Sequence, residues 1–83
     1  MTIVFTDYNN GNYIKSWPNV EYSKVTLPGI NDYVILHWGD YGEKEEYYVV
    51  KGRIYDGAKL DVIELLVEYI PEEKWKQMKE KQA

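Results

Sequence analysis

The chain has 83 residues, of which 45% are hydrophobic, 29% charged and 16% aromatic, and this composition predicts one globular domain. Because 14 acidic residues outnumber 10 basic ones, the net charge of -4 argues against a surface built to coat nucleic acid. The absence of cysteine and the single histidine exclude disulfides, thiolate zinc sites, cysteine nucleophiles and multi-histidine metal centres.

Neither a membrane span nor an export signal is expected from the sequence. No stretch approaches the ~18 uninterrupted apolar residues that a membrane-spanning helix needs. The first residues, Met1 to Asp7, have neither a basic start nor a long apolar run. We therefore expect a cytoplasmic protein.

The residue types of the chain favour strands, and the first two are predicted near its start. Nine Tyr, three Trp and many Val and Ile suit a pleated, half-buried surface. Two such runs, 2–8 and 12–17, flank Asn9-Asn10-Gly11, and an Asn-Gly step supplies the positive φ angles of a tight primed hairpin turn. Pro18 ends the second run, and a further strand is predicted over 20–27.

The middle of the chain is predicted to hold a central strand and then a loop. The apolar run 33–38 lies between the turn 28–32 and Gly39, and it is too short for a stable helix. The segment 39–46 carries two glycines and four acids, so we expect a solvated loop there. This loop is also predicted to be the most mobile interior segment.

The clearest pair of strands covers 47–55 and 60–70, on either side of the turn Asp56-Gly57. Alternation by two predicts that Tyr48, Val50 and Ile54 share the inward face of the first strand, with Lys51 and Arg53 on the outer face. In the second strand the predicted inward residues are Ile63, Leu65, Val67 and Tyr69, whereas Asp61, Glu64 and Glu68 face outward. Lys51 and Arg53 are therefore expected on the same side as Glu64.

Residues 71–83 are predicted to form a short helix. Pro71 suits the first turn, Glu72 and Glu73 suit the amino end, and lysines occupy the carboxyl end. Trp75 and Met78, spaced by three, are the only apolar side chains able to dock it, and Trp75 is the expected anchor.

Short strands joined by tight turns can bury an apolar face in so short a chain only by curling. The predicted fold is mainly β, with a small five- to six-stranded antiparallel barrel or curled sheet followed by a short C-terminal helix. Residues 1–70 are predicted to form the β-barrel part, and residues 71–83 a helical appendage of the same domain.

The order of strands and turns over residues 20 to 70 resembles that of small proteins encoded by bacteriophages and prophages. The resemblance rests on the turn Leu27-Pro28-Gly29, on Asp32 opening the strand Tyr33-Val34-Ile35-Leu36, and on the closing hairpin within 48–67. It implies a Src-homology-3-like barrel and a phage accessory role in the cytoplasm of the host cell. No binding or catalytic residue follows from it.

No catalytic residue, metal ligand or cofactor site is expected. His37 alone would have to serve as general base or imidazole ligand, and one histidine makes a poor active site. Ser16 and Ser23 lie outside any Gly-x-Ser-x-Gly elbow. A calcium loop that starts at Asp7 would need other residues at the positions of Gly11, Asn12 and Pro18. We therefore predict that the protein is not an enzyme.

The aromatic excess points to recognition. A core this small encloses few rings, so several tyrosines should reach the surface, where rings give a large contact area. Tyr41, Tyr47 and Tyr55 are the expected exposed ones, unless they flank the sheet and cover aliphatic neighbours. Together with Glu43 and Glu45, Tyr41 and Tyr47 form the predicted partner-binding site.

Three functions stay open. The first is a protein-binding accessory module that engages a basic host or phage protein, in its sharpest form as an inhibitor of a host defence or nucleic-acid-processing protein. Residues 1–70 favour it, since their six basic and eleven acidic side chains attract a positive surface. The second is a barrel that binds nucleic acid or a nucleotide through Lys51, Arg53 and Tyr55. The third is a phage structural or assembly protein, or a homo-oligomer, built on a sheet edge.

Overall fold

The computed structural model describes residues 1–21, 27–59 and 61–82, in which five strands precede one helix. The strands are β1 (Thr2–Asp7), β2 (Tyr13–Trp17), β3 (Tyr33–Trp38), β4 (Lys44–Tyr55) and β5 (Val62–Ile70), and the helix α1 covers Glu72–Gln82. Residues 22–26 of the strand predicted over 20–27 lie outside the described residues, as does Leu60.

The strands form one mixed sheet in the order β2-β1-β5-β4-β3, curled into a half-barrel. This confirms the predicted mainly β class with a curled sheet and a C-terminal helix. One neighbouring pair differs from the antiparallel expectation, because β1 and β5 run parallel, with Phe5 opposite Leu65. Parallel neighbours need a crossover, which the chain between β1 and β5 provides here.

One lysine bridges the two edge strands of the half-barrel. Lys15 of β2 donates a hydrogen bond to the carbonyl oxygen of His37 in β3, and its Nζ lies 4.8 Å from the centre of the Trp38 ring. Within the described residues, β2 and β3 are not paired with each other. The curl therefore brings the edges close without closing the barrel through backbone pairing.

The inward face of the curled sheet holds the hydrophobic core. The ring of Phe5 meets that of Trp17 edge-on, with centroids 4.7 Å apart. The buried members of the core cluster are Ile3, Phe5, Val34, Leu36, Tyr48, Val50, Ile63, Leu65 and Val67. Alternation by two thus predicted the buried side of β5 up to Val67 correctly, whereas Tyr69 is half exposed.

A bulge in β4 reverses the predicted faces after Val50. Val50 lies opposite Val67 and Gly52 lies opposite Leu66, so one extra residue of β4 stands between them. An extra residue shifts the alternation of side chains by one. Arg53 therefore lies opposite Leu65, and Ile54 lies opposite Glu64 with 46% of its surface exposed. The predictions that Ile54 faces inward and that Arg53 lies beside Glu64 were wrong.

The first hairpin is present, but its turn is longer than predicted. Gly11 has a φ of 74°, whereas Asn10 is not among the residues with positive φ, so no two-residue primed turn forms. Asp7 and Asn10 instead accept backbone N–H groups from Asn9 and Asn12 through their side-chain oxygens, both at 2.8 Å. These local side-chain bonds stabilise a wider loop than Asn-Gly alone requires.

Helix α1 lies on the outward face of the sheet, anchored by Trp75 as predicted. The Trp75 ring stacks on Tyr47, with centroids 4.5 Å apart and planes 15° from parallel. It also meets Tyr33 edge-on at 6.0 Å. In the described part of the chain, no helix has both the length and the apolar character needed to cross a membrane.

Candidate functional site

The last three residues of the acidic segment predicted as a loop, 44–46, belong to a strand. β4 begins at Lys44, and its residues Lys44, Glu45 and Glu46 pair with Trp38, His37 and Leu36 of β3. The connection between the two strands is therefore only 39–43. Acidic side chains did not prevent this pairing of strands, because the Glu45 side chain stays exposed.

The hairpin loop holds one of the predicted glutamates in a defined position. Gly39 has a φ of 90°, which favours glycine, and the Glu43 carboxylate packs closely against its Cα. Glu43 accepts the backbone N–H of Tyr41 at 3.1 Å through Oε2. This hydrogen bond from the Tyr41 backbone to the Glu43 carboxylate stabilises the loop. The Tyr41 side chain projects into solvent, with 95% of its surface exposed.

The other predicted pair lies on β4. The Tyr47 hydroxyl donates to Oε2 of Glu45 at 3.0 Å. His37 Nδ1 lies 4.0 Å from Oε1 of Glu45 and 3.1 Å from the carbonyl oxygen of Gly42. Glu45 and Tyr47 are thus held against each other, and His37 serves to order the hairpin.

An acidic groove forms where β4 extends beyond β5. Tyr47 is the first β4 residue with a partner in β5, namely Ile70. Pro71 then begins the path into α1, and the strand ends. The space beside the start of β4 measures about 470 Å³ and is lined by Glu43, Lys44, Glu45, Glu46, Tyr47, Tyr69 and Glu72. We call these seven residues the acidic groove.

Glu43, Glu45 and Tyr47 of the predicted site line this groove, whereas Tyr41 stands apart on the hairpin loop. Tyr41 and Tyr55 are exposed as expected, but Tyr47 is half-buried under the Trp75 ring. Tyr69 and Glu72 were missed, since they enter from β5 and α1. No local pattern in the sequence identifies them, because they become neighbours of Glu45 and Tyr47 only once the strands are paired.

The surroundings of Tyr47 and Tyr48 raise the pKa of both hydroxyls. For Tyr47 the main cause is its hydrogen bond to Glu45, followed by burial and by the charge of that same carboxylate. For Tyr48 burial comes first and the charge of Glu46 second. The hydroxyl of Tyr47 therefore stays protonated, and able to donate, at every physiological pH.

The raised pKa of Tyr48 predicts a loss of stability at alkaline pH. The pKa of Tyr48 in the folded protein lies above the ordinary 10.0, so the neutral hydroxyl favours the folded state. The contribution of Tyr48 to stability is therefore complete below pH 10.0 and is lost as the pH rises through the folded pKa. Urea unfolding between about pH 9 and pH 11 should show a smaller loss for Tyr48→Phe than for the parent. Tyr41→Phe, on the exposed loop, is the control, and equal losses in all three proteins would contradict the prediction.

The alternative site is divided by the bulge. Arg53 Cζ lies 5.8 Å from the centre of the Tyr55 ring, and both side chains are exposed. Lys51 instead lines a second groove of about 300 Å³ beneath α1, together with Tyr33, Val49 and Met78 among others. The three residues therefore do not form one cluster.

Comparisons with protein-family models, with curated proteins and with solved structures found no match for this chain. Within residues 1–21, 27–59 and 61–82, no group of three or more histidine, aspartate or glutamate side chains is arranged to hold a metal ion. The acidic groove is therefore the feature from which a function is inferred.

Proposed function

We propose that the protein is a non-enzymatic binding module that recognises a positively charged protein surface through the acidic groove. The observation that carries the proposal is the lining of the groove, in which four glutamates and two tyrosines accompany a single lysine. Carboxylates arranged around one groove steer and orient a basic partner, and tyrosine rings supply contact area that excludes water.

The groove is preorganised for binding. Tyr47 is held on one side by its stack on Trp75 and on the other by its hydrogen bond to Glu45. A side chain that is already ordered loses little rotamer entropy when a partner binds. Tyr41 contributes differently, since its free ring on the loop can reach a partner seated in the groove.

The biological role that we infer is that of a phage-encoded accessory protein in the host cytoplasm. The resemblance to phage and prophage proteins supports the origin. The acidic groove supports inhibition of a host defence or nucleic-acid-processing protein, because proteins that hold phosphate backbones carry basic surfaces. Capture of a basic partner from host lysate by the tagged protein is the first test, and the identity of the neighbouring genes is the second.

Reversing two charges of the groove should slow association with the captured partner. Glu43→Lys with Glu45→Lys removes the local attraction, so the association rate in surface plasmon resonance should fall about tenfold or more at low salt and less at high salt. Asp56→Lys with Asp61→Lys makes the same change in net charge at the opposite end of β4 and serves as the control. Equal effects of the two double variants would place the binding site elsewhere.

Removing the free ring should mainly speed dissociation. Tyr41→Ala should raise the dissociation rate about tenfold, the size typical of an aromatic contact in an interface. Tyr47→Phe keeps the stack on Trp75 and removes only the hydroxyl bonded to Glu45, so it tests the groove without disturbing the helix. Tyr55→Ala removes a ring that is also exposed, at 60%, but lies at the other end of β4, so it should leave both rates unchanged.

A nucleic-acid-binding function has one observation in its favour, which is the exposed Arg53 and Tyr55 pair. An arginine beside a tyrosine ring can stack on a base and contact a phosphate. Tight, salt-dependent binding of a single-stranded oligonucleotide that is lost in Arg53→Ala with Tyr55→Ala would favour this function over protein binding.

A further inference from the structure

The acidic groove contains an unpaired stretch of sheet edge. Just before β3, the Val50 N–H donates to the Asp32 carbonyl and the Val50 carbonyl accepts the Asn31 N–H, both at 2.8 Å, so both backbone groups of Val50 face the β3 side of β4. Hydrogen-bonded and non-hydrogen-bonded pairs alternate along antiparallel strands. His37 and Glu45, an odd number of pairs further along, are therefore a non-hydrogen-bonded pair.

The backbone N–H and C=O of Glu45 consequently point away from β3. The hydrogen bond from Lys15 to the His37 carbonyl supports this assignment, since that carbonyl must then point away from β4. On the β5 side of β4, the ladder starts only at Tyr47 and Ile70, and Pro71 leads the chain away. In the described part of the chain, β5 offers no partner opposite Glu45, and no turn, loop or cap residue forms a backbone hydrogen bond with it.

We propose that an extended partner segment with lysine or arginine at successive positions adds to β4 as a short strand, pairing with the backbone of Glu45 in the acidic groove. The proposal rests on the proposed function and adds the conformation and residue pattern of the partner. Addition of a strand to a free edge gives affinity through main-chain hydrogen bonds, and the flanking side chains give specificity.

Successive basic residues fit because carboxylates lie on both faces of this edge. Glu45 shares the outward face with Tyr47, to which it is hydrogen-bonded, and the charge of Glu72 also acts on the Tyr47 hydroxyl. Glu46 lies on the opposite face, where its charge acts on Tyr48. Side chains of an added strand point alternately to the two faces. Each basic residue of a consecutive run therefore meets a carboxylate.

The charge of the edge also argues against a second copy of the chain as the occupant. Pairing this stretch with itself would set Glu45 and Glu46 against the same glutamates of the other copy. Like charges on directly opposite residues destabilise a strand pair. Charged residues on an open edge are a common means of preventing such self-association. A basic segment can hydrogen-bond to the same backbone groups without that repulsion.

The experiment uses three peptides of the sequence Val-Lys-Lys-Lys-Val, acetylated and amidated, and the full chain. One peptide is unmodified, and the other two carry N-methyl groups on alternate backbone nitrogens, one isomer on the odd and one on the even positions. Only the N–H groups at alternate positions of the peptide can face β4, and N-methylation removes the donor. The isomer methylated on those nitrogens should therefore bind at least about tenfold more weakly than the unmodified peptide, and the other isomer should bind as tightly as the unmodified peptide. Lys-Val-Lys-Val-Lys, with the same charge, should bind several-fold more weakly than the unmodified peptide.

Amide exchange measured by NMR identifies the edge directly. The Glu45 amide should exchange about tenfold more slowly with the parent peptide, while the Glu46 amide, already in the ladder with Leu36, is the internal reference. Equal binding of both methylated isomers, unchanged Glu45 exchange, or no binding at low salt would overturn strand addition. The proposed function fails on a different result, namely unaltered binding of the captured partner by the Glu43→Lys, Glu45→Lys variant.

Discussion

Leu65→Ala should lower the free energy of unfolding by about 2–5 kcal/mol. Leu65 is fully buried at the centre of β5, between Phe5 of β1 and the second half of β4. Its truncation leaves a cavity in addition to the lost burial of the side chain. A domain of this length has only ~4–12 kcal/mol in total, so the loss should be visible in urea or thermal unfolding.

Ile54→Ala is the matched control for the core prediction. Ile54 is also a branched aliphatic residue of the closing hairpin, but the bulge turns it outward and leaves 46% of its surface exposed. Its truncation should cost less than about 1 kcal/mol. A Leu65→Ala protein that melts within a degree or two of the parent, or an Ile54→Ala protein that loses as much stability, would mean that the inward face is assigned wrongly.

Trp75→Ala should lower the melting temperature by about 10 °C, and deletion of residues 72–83 should do at least as much. The Trp75 ring is only half-buried, so we expect roughly half of the 3–5 kcal/mol typical of a buried tryptophan, or about 2 kcal/mol. The strand signal in circular dichroism should persist in both proteins. The reason is that α1 packs on Tyr33 and Tyr47 of the outward face, away from the core cluster.

Lys76→Ala is the control for the helix prediction. Lys76 is on the same helix and forms an ion pair with Glu72 at 3.4 Å, but both side chains are well exposed. Such surface pairs contribute little to stability, so the melting temperature should change by no more than a few degrees. Complete unfolding of the sheet after deletion of 72–83 would show instead that α1 is required for the β fold.

Local patterns in the sequence were enough to predict most of the elements. The alternation of Ile63, Leu65 and Val67 identified the buried face of β5, because a strand buried on one face repeats its apolar residues every second position. Pro71, followed by Glu72 and Glu73, located the start of α1, and Trp75 was recognisable as its anchor. These features depend on residues close together in the chain.

The bulge in β4 was not predictable from such patterns. Whether one residue is left unpaired depends on how β4 meets β5 across the ladder, and Lys51-Gly52-Arg53 is compatible with either register. The shift of one residue reverses the face of every residue after it, which is why Ile54 and Arg53 were assigned to the wrong sides.

The sequence by itself determined the mainly β class, the helix, and the excess of acidic and aromatic side chains. Only the tertiary structure decided that β1 and β5 are parallel neighbours and that β4 continues past the end of β5. Both strand relations join residues that are distant in the chain. They are set by loop closure and by packing of the core, because local conformational preferences do not act over such distances. The acidic groove depends on them, because Glu45 and Glu46 become neighbours of Tyr69 and Glu72 only once the strands are paired.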